Sequence, residues 1–189
     1  MEKMQFSAAH WTGFMDRTDF SAHRVLVVGA KSHAILLLRS VLGIVGVANI
    51  VHIEDGRRAL EILRTEHFTA VFCDHRLDQA SEKPFIVAAR RSGGMANPMV
   101  PIFLLQERAQ RRDVERARDM GATDVLTTPI SPKTLLTKLQ AATQTPRPFI
   151  VSNEFFGPDR RAKSRAAYNF GADRRKRAAR KTRIDFTHT

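Results

Sequence analysis

Arg24-Val25-Leu26-Val27-Val28 is a run of aliphatic and β-branched residues without polar alternation, closed by Gly29. A short strand of that composition is buried on both faces, as strands of parallel sheets are. The residues after it change period. Ile35, Leu38 and Leu42 recur at three and four, the spacing of one helix face. The same pairing then repeats along the chain. Apolar runs return at Ala48–Val51, Ala70–Cys73, Ile102–Leu105 and Val125-Leu126. Between them lie helical segments carrying Leu60, Ile62 and Leu63, then Phe85, Ala88 and Ala89, then the charged stretch Arg108–Met120. The fifth opens on Ser131-Pro132, a good cap followed by proline in the first turn, and continues through Leu135, Leu136 and Leu139. Strand and helix alternating five times predict an α/β, doubly wound five-stranded parallel sheet with helices on both faces.

The ends of the chain read differently. Residues 1–22 have no sustained period and form an N-terminal extension, although Trp11, Phe14 and Met15 could share one helical face. Residues 24–145 form the domain and are expected to fold without the C-terminal tail. At Thr145-Pro146-Arg147-Pro148 two prolines end the last helix and open a linker. Residues 146–189 are a basic, Arg-rich tail, flexible or helical on binding, in which Phe-Gly-x-Asp-Arg-Arg occurs at Phe156 and again at Phe170. Asp159 and Asp173 are placed to cap a short basic helix in each copy. The chain carries 31 Lys and Arg against 19 Asp and Glu, a net +12, of which +7 falls in residues 151–189. That concentration fits a solubilising extension, an arm that folds on an acidic protein partner, or a nucleic-acid arm; as a polyanion-binding or partner-binding arm its contacts would be Arg160, Arg161, Arg165, Arg174, Arg175, Lys176 and Arg177. Any nucleic-acid binding through it is expected to be weak and nonspecific, since no helix-turn-helix with its own core fits in the tail.

Other classes recede. Cys73 is the sole cysteine, so one chain can form no internal disulfide and no Cys-based zinc cluster. The seven His are dispersed, with no pair at helical ligand spacing. No run of about 18 apolar residues offers a membrane span. The first residues lack the pattern of a secretory signal. A cytoplasmic protein that is not an enzyme is expected.

In order and spacing, residues 24–143 resemble the receiver domain of bacterial two-component response regulators, the CheY-like, flavodoxin-like fold. The resemblance rests on Arg24–Val28, Glu54-Asp55-Gly56, Val71-Phe72-Cys73-Asp74, Val100–Leu104, Gly121–Leu126 and Thr128–Pro132. It implies a phospho-acceptor aspartate at the end of the third strand, where Asp74 stands. It also implies an acidic pair that helps hold magnesium, but those positions are Gly29 and Ala30. The hydroxyl residue that closes the fourth strand is Gln106, the lysine of the fifth loop is Thr128, and the aromatic residue of the fifth strand is Val125.

Those losses have physical consequences. Magnesium wants oxygen ligands, usually carboxylates and waters, so its binding is expected to be weak or absent, and no other metal or cofactor is implied. Phosphoryl transfer depends on positioning and on neutralising charge at the equatorial oxygens, and two of those charges are gone. Lys31 and Arg76 are the candidate charge partners for Asp74. The sequence therefore points to a degenerate pseudo-receiver acting by protein–protein interaction in a phosphorelay. Its expected partners are a histidine kinase, a phosphotransferase or another receiver, with a homodimer as a further option and no membrane contact. Two alternatives stay open: a phospho-accepting single-domain regulator switched at Asp74, and a nucleic-acid-associated protein using the tail.

Overall fold

The computed structural model describes residues 20–80, 84–152, 154–159 and 182–184. Five parallel strands form the main sheet: β1 Arg24–Val28, β2 Asn49–Ile53, β3 Ala70–Asp74, β4 Ile102–Gln106 and β5 Asp124–Thr127, in the order β2-β1-β3-β4-β5. Helices α1 His33–Ile44, α2 Gly56–Thr65, α3 Phe85–Arg91, α4 Arg111–Met120 and α5 Pro132–Gln144 make the crossovers. This is the doubly wound fold the alternation predicts. The elements differ from the sequence expectation mainly at their ends; α4, for example, begins at Arg111 rather than Arg108.

Alternation along each strand divides the core in two. Val25 and Val27 join Ile35, Leu38, Leu135 and Leu139 on the α1–α5 face. Leu26 and Val28 join Ala59, Leu63, Ile86 and Ala117 on the face covered by α2, α3 and α4. Phe72 and Phe103, neighbours on β3 and β4, stack at 4.9 Å in the first layer. Local chemistry fixes the helix starts. Ser32 accepts from Ile35 N–H, Asp55 from Arg58 N–H and Ser131 from Thr134 N–H, each relieving a free donor of a first turn.

Beyond α5 the chain stays on the domain. Strands β6 Phe149–Val151 and β7 Phe156–Pro158 pair as an antiparallel hairpin, and β8 Thr182–Ile184 adds to the other side of β6. The two prolines do end α5, but the apolar run Phe149-Ile150-Val151 after them has a place to bury. Strand β7 packs on the ends of α3 and α4. There Gly121, the left-handed residue ending α4, lies so close to the hairpin that a Cβ on it would come within 2.6 Å of the Phe156 carbonyl oxygen. Asp159, expected from sequence to be a helix cap, is buried and extends the pairing by donating its N–H to the Pro148 carbonyl. The helix it was to cap lies outside the described residues. No helix among the described residues is long and apolar enough to cross a membrane.

Candidate functional site

Asp74 ends β3 at the carboxyl edge of the sheet, where open α/β sheets place their ligands. Its side chain is 5% exposed. Arg76, two residues on, turns back over it. Arg76 Nε donates to Oδ1 at 3.1 Å and Oδ2 at 3.2 Å, Nη2 donates to Oδ2 at 2.8 Å, and the Arg76 backbone N–H donates to Oδ1 at 3.0 Å. His75 Nδ1 lies 3.2 Å from Oδ1. Burial pushes the Asp74 carboxyl up, but the hydrogen bonds and charge of Arg76, aided by His75, outweigh it and hold the group below its ordinary value.

The second candidate partner, Lys31, goes elsewhere. Its ammonium pairs with Glu54 at 3.3 Å, with both side chains largely exposed. Both residues, with Asp55, Arg57 and Leu77, line a cleft of about 390 Å³ that opens over Asp74 and Arg76.

Gly29 and Ala30 form the floor of that cleft beside Asp74. Gly29 has φ of 142°, in the region that favours glycine. A Cβ built on it would stand 2.8 Å from the Asp74 Cβ. Edge strand β2 holds this conformation from both sides: Gly29 N–H donates to the Ile53 carbonyl at 2.9 Å, and His52 Nε2 donates to the Gly29 carbonyl at 2.8 Å. The position that the resemblance assigns to an acid therefore has no room for any side chain in this arrangement. Gln106 and Thr128 meet at the ends of β4 and β5, joined by a 3.0 Å bond from Thr128 N–H to the Gln106 carbonyl, ahead of a cis Thr128–Pro129 peptide. Val125 is buried against the α4 side of the core.

The family model of the response regulator receiver domain matches residues 25–140. The chain belongs to the response regulator receiver family. Solved receivers share its fold. One is the receiver domain of a sensor histidine kinase from Pseudomonas aeruginosa, described with magnesium in its active-site cleft (21% identity, 65% of this chain and 98% of that one, TM-score 0.56). Another is the chemotaxis regulator CheY4 of Vibrio cholerae (24% identity, 62% and 96%, TM-score 0.53). A regulator from Chloroflexus aurantiacus matches at 20% identity over 65% and 98% of the two chains, with TM-score 0.56. No curated protein matches.

Of the positions named from sequence, the receiver brings Asp74, Arg76, Gly29, Ala30 and Lys31 into one cleft and leaves Gln106 and Thr128 off its lining. Arg160, Arg161, Arg165, Arg174, Arg175, Lys176 and Arg177 lie outside the described residues. Sequence reasoning missed His52, His75 and Glu54. His52 acts through the Gly29 carbonyl and Glu54 through Lys31, 23 residues away in each case, and no local motif marks such contacts; His75 acts on its neighbour Asp74.

The lowered Asp74 pKa makes a stability prediction. Because the folded value lies below the ordinary 3.8, the stabilisation is fully present above about that pH and is lost as pH falls through the folded value. Asp74→Asn removes it. The gap in chemical-unfolding midpoint between wild type and Asp74→Asn should be widest near neutrality and narrow below pH about 3.8. A gap of constant size across that range would mean that the pair contributes nothing. Arg76 is half exposed, so solvent screening keeps the effect modest.

Proposed function

We propose that this receiver signals by binding, with Asp74 serving as the ion-pair partner of Arg76 instead of as a phosphoryl acceptor. The reading is carried by the Arg76 side chain, which engages both Asp74 oxygens from within the same chain. A carboxylate so engaged must break that pair before it can attack phosphorus or ligate a metal. The donor set also does not fit magnesium as it is arranged. Glu54 is paired with Lys31, Asp55 caps α2, and Asp74 is held by Arg76. Among the described residues no group of three or more His, Cys, Asp or Glu is gathered for a metal ion.

Receivers work with histidine kinases and other signalling proteins. The partner here is a histidine kinase, a phosphotransferase or a second receiver, met in the cytoplasm through a surface and not through catalysis. The face formed by α4, β5 and α5 is available for that contact or for a homodimer. One observation supports the rival reading, a receiver that accepts phosphate at Asp74. Arg76 places positive charge where a phosphoryl group would develop negative charge, a role otherwise filled by metal or lysine.

Incubation with a small-molecule phosphodonor and magnesium, followed by intact mass, separates the two. The expected result is no gain of one phosphate. An adduct that forms with the donor and disappears in Asp74→Ala establishes the rival reading.

A further inference from the structure

We infer that the hairpin of β6 and β7 is a strap that lifts from the domain as a unit while the five-stranded sheet stays folded, and that Arg90 beneath it favours the lifted state. The strap has hydrogen bonds of its own. Besides the β6–β7 ladder, Asp159 N–H donates to the Pro148 carbonyl at 2.7 Å and Ser152 N–H to the Phe155 carbonyl at 2.8 Å. Its seat on the domain is narrow. The Phe149 ring lies over Arg90, and Gly157 meets Gly121 backbone to backbone, where a Cβ on Gly157 would stand 2.8 Å from the Gly121 Cα. Pro148, Phe149 and Pro158 also border an open groove of about 1080 Å³ beside the end of α5, so the strap is undercut along that side. The arm that carries it, Thr145–Pro148, contains two prolines, which have no N–H to bond to the domain.

Arg90 opposes closure. Its guanidinium is shut away from water and donates to the carbonyls of Pro98, Val100 and Gly121. All three carbonyls belong to the domain, so those bonds persist when the strap lifts. The rest of the group changes its surroundings. Under the strap, Nη2 is buried without a hydrogen-bond partner, and among the described residues Arg90 has no ion pair with an acid. A buried donor left unmet costs its hydration in full, and a buried charge without a counter-ion costs more. Lifting the strap restores that hydration and loses the packing of the Phe149 ring. The two effects oppose each other, so the strap closes with less free energy than holds the sheet together.

The strap also carries the basic segment. Strand β8 pairs with β6 and not with the main sheet, so it moves with the strap. Asp159 and Thr182, the two residues that flank 160–181, are thus both fastened to β6 or its approach.

Amide hydrogen exchange on the full chain tests the strap. Three-residue strands do not hold together in water without packing, so lifting exposes the Asp159 amide. The Val71 amide, bonded to the Pro101 carbonyl within the domain, exchanges only on global unfolding. Protection of Asp159 should therefore be lower than that of Val71 by about tenfold or more. Ile35→Val, in the α1–α5 layer, should speed Val71 by about fivefold and leave Asp159 unchanged. Arg90→Met should move the two amides in opposite directions. Val71 speeds up because three carbonyls lose their donor, and Asp159 slows by about tenfold because the unmet donor is gone. Arg90→Lys, which keeps a charge among the carbonyls, replaces it if Arg90→Met unfolds the domain, with Asp159 again expected to slow. Equal protection of the two amides, a matched response to Ile35→Val, or Asp159 exchange that does not slow in the Arg90 variant would each overturn the inference.

Discussion

A chain ending at Thr145 should be less stable than one ending at Asp159 by roughly 3–5 kcal/mol, the range measured for deleting a buried phenylalanine. The two chains differ by the β6–β7 hairpin. Its anchor is Phe149, 3% exposed, with its ring edge against Phe156 at 5.7 Å. Arg90 lies over the other side, its guanidinium carbon 5.1 Å from the ring centre.

Arg90 is itself an unusual neighbour. It is 2% exposed and donates to the carbonyls of Gly121, Pro98 and Val100 at 3.0, 2.8 and 2.7 Å. Burial pushes its pKa down to about 9, and among the described residues its Nη2 has no hydrogen-bond partner. Removing the hairpin takes away the ring but lets water reach the guanidinium. The second effect offsets part of the first, so the lower half of the range is expected. Denaturant midpoints of the two truncations, with Phe149→Ala in the full chain, measure it. Equal midpoints for both truncations would show that the hairpin only decorates a domain already complete at Thr145.

The same boundary gives a clean test of the basic segment. The full chain should bind a nonspecific DNA duplex at low salt, and the chain ending at Asp159 should bind far less. Every Lys and Arg beyond Arg147 lies in residues 160–189, while the hairpin that supports folding remains in the shorter chain. Each phosphate neutralised releases counterions. For 6–10 phosphate contacts, affinity should fall by roughly 10³–10⁵ between 50 and 200 mM salt. Replacing Arg174 and Arg175 should lower the salt slope about as much as replacing Arg160 and Arg161, since the two belong to matching units. Equal binding by both chains, or binding indifferent to salt, would remove the segment from the account. Binding that vanishes at physiological salt would shift the weight to an acidic protein partner.

The main sheet was legible because its strands are continuous apolar runs that alternate with helical segments, the pattern of a parallel sheet covered on both faces. Ser131-Pro132 marked the start of α5 because caps act within one turn. The hairpin was not legible for the opposite reason. Its three-residue strands carry little pattern, and the prolines before it look the same whether the chain then leaves the domain or folds back. Arg90 next to Arg91 reads as a surface pair; only the carbonyls of residues 98, 100 and 121 make it an interior residue. At the cleft, sequence named several residues that line it, Asp74, Gly29 and Ala30 among them, but not which cation turns inward. Arg76 and Lys31 both had the charge, and the short turn after β3 brings Arg76 back onto Asp74 while Lys31 reaches Glu54.

Gly29 bears on how this pocket can change over generations. A surface position that has lost an acid can regain it by one codon change. Here the backbone has settled into a shape that only glycine tolerates, tied on both sides to β2 and closed against Asp74. An aspartate at 29 would have to leave the positive-φ backbone and draw away from the Asp74 Cβ before it could serve as a ligand. Gly29→Asp is therefore expected to lower the stability of the domain before any new ligand is in place.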